Sequence, residues 1–211
     1  MQLKPERTRI LLAKIYASEF ASVDSQIDFI SQRMLTGAED LKRELQELLE
    51  RGLIQEKGTK IRLSSSGRKM IVAVMCGGAF DIIHPGHLET LEQARSLGDV
   101  LIVSVARDST FQRNKKRSPN HGEELRRGLV SSLRIVDCAI LGSESDIFET
   151  VLLLKPDIIA LGYDQFHEES KISEEIRKRG LTAKVIRLES SNPEIKTSGI
   201  IAAKPDVLSG I

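Results

Sequence analysis

The stretch from residue 71 to residue 97 constrains the fold more than any other part of the chain. A short apolar run over 71–76 leads into Gly77 and Gly78, and the sequence His84-Pro85-Gly86-His87 follows. A helical spacing of apolar residues then covers 86–97. This order is a strand, then a turn whose glycines break the strand, then a helix. It is typical of a phosphate site at a helix N-terminus.

Strands and helices alternate after this stretch. The apolar patterns predict strands over 71–76, 100–105, 138–141, 157–161 and 183–188, and helices over 123–133, 146–154 and 170–179. Such alternation predicts an α/β fold for residues 71–211, a Rossmann-like doubly wound five-stranded parallel sheet. Ligands of such sheets bind at the carboxyl ends of the strands, which are the polar stretches 77–87, 107–120, 142–146, 162–169 and 189–199.

Residues 1–70 are predicted to form a smaller, mainly helical domain. One helical pattern covers 6–20, a second follows a cap at Asp24 or Ser25, and a third follows a capping box at 36–39 and ends near Gly52. Two extended segments, 53–55 and 60–63, come next. Three helices and a small hairpin in this order resemble a winged helix-turn-helix domain.

Two functions are open for this domain: DNA binding, or packing and dimerisation. The third predicted helix carries more acidic than basic side chains, which opposes contact with phosphate. Basic residues gather in and after the hairpin instead, at Lys57, Lys60, Arg62, Arg68 and Lys69. Because the net charge of the whole chain is only +1, any DNA contact must come from this local patch.

The composition predicts a cytoplasmic protein that does not enter a membrane. The N-terminus lacks a signal-peptide pattern, and no apolar stretch approaches the roughly 18 residues that span a bilayer. The two cysteines, Cys76 and Cys138, lie in predicted strands and are expected to be buried thiols in a reducing compartment. No Cys/His cluster predicts a metal site.

The histidine stretch also carries a family resemblance. Gly78-Ala79-Phe80-Asp81 followed by His84-Pro85-Gly86-His87 resembles the H-x-G-H motif of the nucleotidyltransferase superfamily. Residues 72–199 are similar to its cytidylyltransferase-like branch, which includes glycerol-3-phosphate cytidylyltransferases and archaeal FAD synthases. The resemblance implies transfer of a nucleotidyl group from a nucleoside triphosphate, with charge on the phosphoryl oxygens stabilised by His84 and His87. It also implies a nucleotide-binding loop that contains Gly78, Ala79, Phe80 and Gly86.

The basic segment after the second strand of the sheet resembles the family's flexible lysine loop, which closes over the triphosphate. Either Lys115 or Lys116 is the implied ligand. The segment Glu123-Glu124-Leu125-Arg126-Arg127 matches the family's E-x-R helix start. The match implies that Arg126 contacts phosphate and that Arg127 is a surface charge.

Gly162-Tyr163-Asp164-Gln165 resembles the family's glycine–aspartate turn beside the nucleotide base. The G-x-D-Q sequence favours the FAD synthases, so Gly162, Asp164 and Gln165 are expected to bind ATP. FMN would then be the acceptor, oriented by Asp81. Two alternatives are a cytidylyltransferase that uses CTP and glycerol phosphate or a similar small phosphate, and a DNA-binding regulator that responds to a nucleotide.

The sequence Lys196-Thr197-Ser198-Gly199-Ile200 resembles the family's closing motif. It implies that Lys196 and Thr197 bind the triphosphate and that Ser198 caps a last helix. Hydroxyl residues of the family are replaced at Ala79, Ile201 and Ala202, which predicts lower activity or greater reliance on backbone N–H groups. The resemblance further implies a homodimer and Mg²⁺ that arrives with the nucleotide.

Overall fold

Three helices and a hairpin form the first part of the chain. In the computed structural model, which describes residues 3–165, 168–191, 193, 197 and 199, the elements of this part are α1 (Pro5–Ser18), α2 (Gln26–Met34), α3 (Ala38–Glu50), β1 (Ile54–Lys57), β2 (Lys60–Leu63) and the short α4 (Ser65–Arg68). Strands β1 and β2 are antiparallel. The order of elements agrees with the predicted one, and the winged-helix assignment stays a prediction.

The ends of these helices confirm two predicted boundaries and correct a third. The Ser25 hydroxyl accepts a hydrogen bond from the Asp28 N–H at 3.2 Å and caps α2. Gly52, with a φ of 63°, follows α3. The predicted capping box is wrong, because α3 begins after Gly37 without a side-chain cap. The Thr36 hydroxyl instead accepts a hydrogen bond from Arg7 Nη2 at 2.6 Å.

Five parallel strands form the centre of the molecule and confirm the predicted sheet. They are β3 (Ala73–Gly78), β4 (Val100–Val105), β5 (Cys138–Leu141), β6 (Ile158–Leu161) and β7 (Lys184–Arg187), in the order β5-β4-β3-β6-β7. The helices between them are α5 (Pro85–Ser96), α6 (Asp108–Lys115), α7 (Glu123–Ser131), α8 (Ile147–Leu154) and α9 (Glu169–Lys178).

Two elements differ from the prediction. The glycines do not break the first strand of the sheet, because Gly77 and Gly78 pair with Ser104 and Val105 and extend β3 to residue 78. Helix α6 occupies most of the segment that was predicted to be a flexible lysine loop. It buries only Phe111, so its sequence has no apolar periodicity from which a helix could be predicted.

The strand order reverses between β3 and β6. From β3 the chain moves outward to β4 and β5, and it then crosses back to place β6 on the other side of β3. Loops that follow the two strands at such a reversal diverge and leave a crevice at the carboxyl edge of the sheet. Residues 79–84 and 162–165 follow these two strands, so both motif segments lie at this crevice.

The first segment packs on the sheet rather than beside it. Helix α1 contacts β4, and its buried side chains share one apolar cluster with alternate residues of β3 and β4, including Leu11, Ile15, Met75 and Ile102. Polar contacts join the same two parts: Arg9 Nε lies 3.1 Å from Asp99 Oδ1, Lys14 pairs with Asp137, and Arg33 Nη1 donates to the Val136 carbonyl at 2.6 Å. The boundary at residue 70 stays a prediction, but the two parts have a common core.

None of the helices in the described ranges combines the length and the apolarity needed to span a bilayer.

Candidate active site

Two stacked imidazoles mark the start of α5. His84 is the N-cap residue of this helix, and Pro85 occupies its first turn. The His84 carbonyl accepts hydrogen bonds from the N–H groups of His87 at 2.9 Å and Leu88 at 3.3 Å. The ring centroids of His84 and His87 are 3.9 Å apart. The structure thus brings the predicted histidine pair together at a helix N-terminus, where the helix dipole favours a bound anion.

A buried phenylalanine shapes the turn between β3 and the histidines. Phe80 has a positive φ of 51° and is only 2% exposed. Its ring lies so close to Gly78 that a Cβ on that glycine would stand 2.7 Å from a ring carbon. The centroid of the ring is also 5.3 Å from that of His87. Phe80 therefore supports the histidine turn from inside, and Gly78 is required by this packing.

Burial keeps the histidine pair neutral in the absence of a ligand. It lowers the pKa of His87 to about 4, with the nearby His84 acting in the same direction, and it also lowers the pKa of His84. The Asp164 carboxylate opposes both shifts. The Nδ1 atoms of both rings are buried and lack a hydrogen-bond partner in the described part of the chain. An anion at this turn would favour the protonated rings.

The lowered pKa of His87 predicts acid sensitivity of the fold. The unfolded value is 6.5 and the folded value about 4, so the unfolded chain binds more protons between these pH values. The free energy of unfolding should fall as the pH is lowered from 6.5 toward 4, and His87→Asn should flatten this dependence. Urea unfolding at several pH values measures it. Equal slopes for the wild type and the variant would contradict the shifted pKa.

The two candidate lysines lie at the end of α6. Lys115 is its last residue, and Lys116 follows in a left-handed conformation with a φ of 56°. Both side chains are exposed, and neither ammonium group forms an ion pair or hydrogen bond with the described residues. Both are thus available to an anionic ligand.

Arg126 is not a phosphate ligand, which corrects its predicted role. Its side chain is 1% exposed and donates to the carbonyl oxygens of His121 at 2.8 Å, Ala79 at 2.5 Å and Ala106 at 2.8 Å. Nη2 also donates to Asp108 Oδ1 at 2.7 Å. A guanidinium engaged in this way joins the turn after β3 to the loops that precede α6 and α7.

Asp81 is likewise not free to orient an acceptor. Its side chain is buried, with 3% of the residue exposed, and accepts hydrogen bonds from Arg117 and Asn120. Burial alone would raise the pKa of Asp81, but the hydrogen bonds from Arg117 and Asn120 outweigh it and lower the pKa. Sequence reasoning missed both partners, because they lie 36 and 39 residues away in the chain.

The glycine–aspartate turn meets the end of β3, as the strand order requires. Gln165 Nε2 donates to the Gly77 carbonyl at 2.7 Å. Arg187 Nη1 donates to the carbonyl oxygens of Gly162 and Gln165, both at 3.0 Å. The turn is therefore held beside the histidine pair, with the Asp164 side chain exposed.

Part of the predicted closing motif lies outside the described residues, namely Lys196 and Ser198 and the replaced hydroxyl positions Ile201 and Ala202. Thr197 is half-buried. Within the ranges that the structure covers, no group of three or more His, Cys, Asp or Glu side chains could hold a metal ion.

Known proteins resemble the part of the chain that contains this site. The sequence profile of the family described as cytidylyltransferase-like matches residues 75–203. The FAD synthase of Archaeoglobus profundus is 53% identical over 120 residues, which cover 57% of this chain and 76% of that protein. The FAD synthase of Thermoplasma volcanium is 43% identical over 134 residues, covering 64% and 94%.

A solved structure is also similar. It is described as the lipopolysaccharide core biosynthesis protein from Thermoplasma volcanium, with 47% identity and a TM-score of 0.55. The match covers 57% of this chain and 98% of that one.

Proposed function

This chain belongs to the cytidylyltransferase-like family, and from that premise we propose that it transfers AMP from ATP to FMN, giving FAD and pyrophosphate. The observation that carries the proposal is its identity of 43–53% with archaeal proteins named FAD synthase. The matched region holds both the histidine pair and the glycine–aspartate turn. The protein is accordingly an enzyme, an FMN adenylyltransferase.

The proposed reaction is an in-line displacement at the α-phosphorus of ATP. A phosphate oxygen of FMN forms the new P–O bond, and the bond from the α-phosphorus to the bridging oxygen breaks as pyrophosphate leaves. His84 and His87 would donate hydrogen bonds to the phosphoryl oxygens as negative charge accumulates there. The N-terminus of α5 would add its partial positive charge. The acceptor phosphate is already ionised at neutral pH, so attack needs no general base.

The other contacts of the site follow from the family resemblance. Lys115 and Lys116, together with Lys196 and Thr197 of the closing motif, would bind the triphosphate, and Mg²⁺ would enter with ATP. The turn that contains Gly162, Asp164 and Gln165 would face the base. A homodimer is a further proposal from the family resemblance, and a cytoplasmic location is a proposal from the composition. Sedimentation would test the first.

A cytidylyltransferase is the nearest alternative, so a product assay is the decisive experiment. The protein is incubated with Mg²⁺ and with ATP plus FMN, or with CTP plus glycerol phosphate and other small phosphates. We expect FAD and pyrophosphate only in the first mixture, resolved by chromatography. Consumption of CTP with a small phosphate, without FAD from ATP and FMN, would overturn the proposal. The matched Thermoplasma structure, whose description does not mention FMN, makes the small phosphates a necessary control.

The structure gives no support to a DNA-binding regulator. The exposed surface of α3 carries Glu39, Asp40 and Glu50. Its cations are partly neutralised, since Lys42 Nζ lies 2.8 Å from Glu39 Oε1 and Arg43 pairs with Asp40. Such a surface repels phosphate at the position where a recognition helix would meet DNA. DNA binding is therefore not part of the proposed function.

A further inference from the structure

A buried carboxylate joins the histidine turn to the segment that carries the candidate lysines. Asp81 lies three residues before His84, in the turn after β3. Its Oδ1 accepts the Asn120 backbone N–H at 2.6 Å, and its Oδ2 accepts Arg117 Nη2 at 2.8 Å and Asn120 Nδ2 at 2.9 Å. We refer to Asp81, Arg117 and Asn120 as the clamp.

The clamp attaches its segment together with the buried Phe111 of α6 and a hydrogen bond of 3.1 Å from Arg113 Nη2 to the Glu144 carbonyl. Every residue from 112 to 118 is exposed, so burial of apolar side chains does not hold this part of the chain in place. The Arg117 guanidinium also lies 4.9 Å from the centre of the Phe111 ring, which fixes the side chain from a second direction. Charge-assisted hydrogen bonds to a buried carboxylate are stronger than neutral ones, so the clamp sets where this exposed segment lies.

The exposed segment and the turn after β3 depend on each other. A carboxylate that is only 3% exposed loses most of its hydration, and removing its partners would leave an uncompensated buried charge. Docking of the segment therefore helps to hold the turn after β3 in its arrangement. Because the turn leads directly into His84, the docked segment and the histidine pair are parts of one assembly.

The three adjacent cations Lys115, Lys116 and Arg117 differ in whether they have an ion-pair partner. Asp81 neutralises Arg117, whereas Lys115 and Lys116 have no ion pair among the described residues. The two lysines immediately precede the clamped arginine, so the clamp limits how far they can move from the histidine turn. A triphosphate there would meet cations that are already close, which reduces the entropy lost on binding.

We propose that Asp81 is a positioning residue that holds the Lys115–Asn120 segment against the histidine turn, so that Lys115 and Lys116 reach the triphosphate of ATP. This inference rests on the proposed function for its substrate. It assigns Asp81 to the nucleotide side of the reaction, whereas the family resemblance had implied a contact with the acceptor.

Steady-state kinetics of Asp81→Asn, Arg117→Gln and the double variant test the proposal. Asp81→Asn should raise the KM for ATP about tenfold or more and leave the KM for FMN within about twofold. The double variant should be no worse than Asp81→Asn alone, because both changes open the same clamp. Glu124→Gln, which removes an exposed carboxylate paired with Arg127, is the matched control and should behave as wild type.

Limited trypsin digestion gives a readout that does not depend on activity. Cleavage after Lys115 and Lys116, followed by mass spectrometry, should be about tenfold faster in Asp81→Asn than in the wild type or Glu124→Gln. Arg117→Gln keeps both cleavage sites and should show the same increase, even if Asp81→Asn folds poorly. This comparison tests whether the clamp holds the segment even if the wild type makes no FAD. Absence of FAD formation would reject the proposed function but not the clamp.

Two results would overturn the inference. One is a raised KM for FMN with an unchanged KM for ATP and an unchanged rate of tryptic cleavage, which would make Asp81 an acceptor ligand. The other is multiplication of the two single effects on the KM for ATP in the double variant, which would show that Asp81 and Arg117 act independently.

Discussion

Replacing His87 with alanine should lower the turnover number about 100-fold or more. The imidazole lies at the N-terminus of α5 and stacks on His84 with a centroid distance of 3.9 Å. In the proposed reaction it donates to phosphoryl oxygens whose negative charge grows toward the transition state, and removal of one such donor typically has an effect of this size. The KM for ATP should change less than the turnover number, because the contact strengthens as the reaction proceeds.

The effect of His87→Ala on packing must be separated from its effect on the reaction, because His87 also contacts Phe80. The urea midpoint reports the packing, and single-turnover formation of FAD reports the chemistry. Thr90→Ala is a suitable control on the same helix, since it removes only the hydrogen bond from Thr90 Oγ1 to the Gly86 carbonyl at 2.9 Å. A turnover number for His87→Ala equal to that of Thr90→Ala would reject a role of His87 in the transition state.

The sequence predicts the sheet well because its signal is local. Buried parallel strands are continuous apolar runs, and the boundaries of β4 and β5 agree with those predicted. Helix α6 could not be predicted in the same way, because only Phe111 faces the core. The packing of α1 on β4 was also not predicted. That helix buries eight of its fourteen residues, so its sequence does not show which side meets the sheet.

The site was predictable to the extent that its residues are neighbours in the chain. His84, Gly86 and His87 form a contiguous motif, and the structure brings their turn beside Asp164 and Gln165 as the strand order requires. Long-range hydrogen bonds were beyond the sequence. The hydrogen bonds of Asp81 could not be predicted, because nothing near it in the sequence identifies Arg117 as its partner.

A helical spacing could have indicated the true environment of Arg126. Residues four apart share one face of a helix, and Val130, four residues after Arg126, is fully buried. An arginine on the inward face of an amphipathic helix must satisfy its donors inside the protein. The family motif distinguished Arg126 from Arg127. It implied that Arg126 contacts phosphate, whereas in the structure Arg126 donates to carbonyl groups of the protein.

These two adjacent arginines allow a matched test. Arg126→Gln should lower the free energy of unfolding by about 3–5 kcal/mol, because it removes a buried guanidinium that donates to three carbonyl oxygens and pairs with Asp108. Arg127→Gln removes a guanidinium whose partner Glu124 has a 67% exposed side chain, and should change that free energy by less than about 1 kcal/mol. Urea unfolding measures both.

Nucleotide binding by the folded fraction distinguishes the structural role of Arg126 from a phosphate contact. If Arg126 contacted phosphate, the Arg126→Gln protein would bind ATP more weakly while its urea midpoint stayed at the wild-type value. That outcome would contradict the structure. We expect the variant to lose stability instead, because a side chain that is 1% exposed cannot reach a ligand unless the turn after β3 opens. The same turn carries Asp81 and leads to His84. Arg126 therefore supports catalysis from beneath the site, by fixing the backbone from which the histidine pair projects.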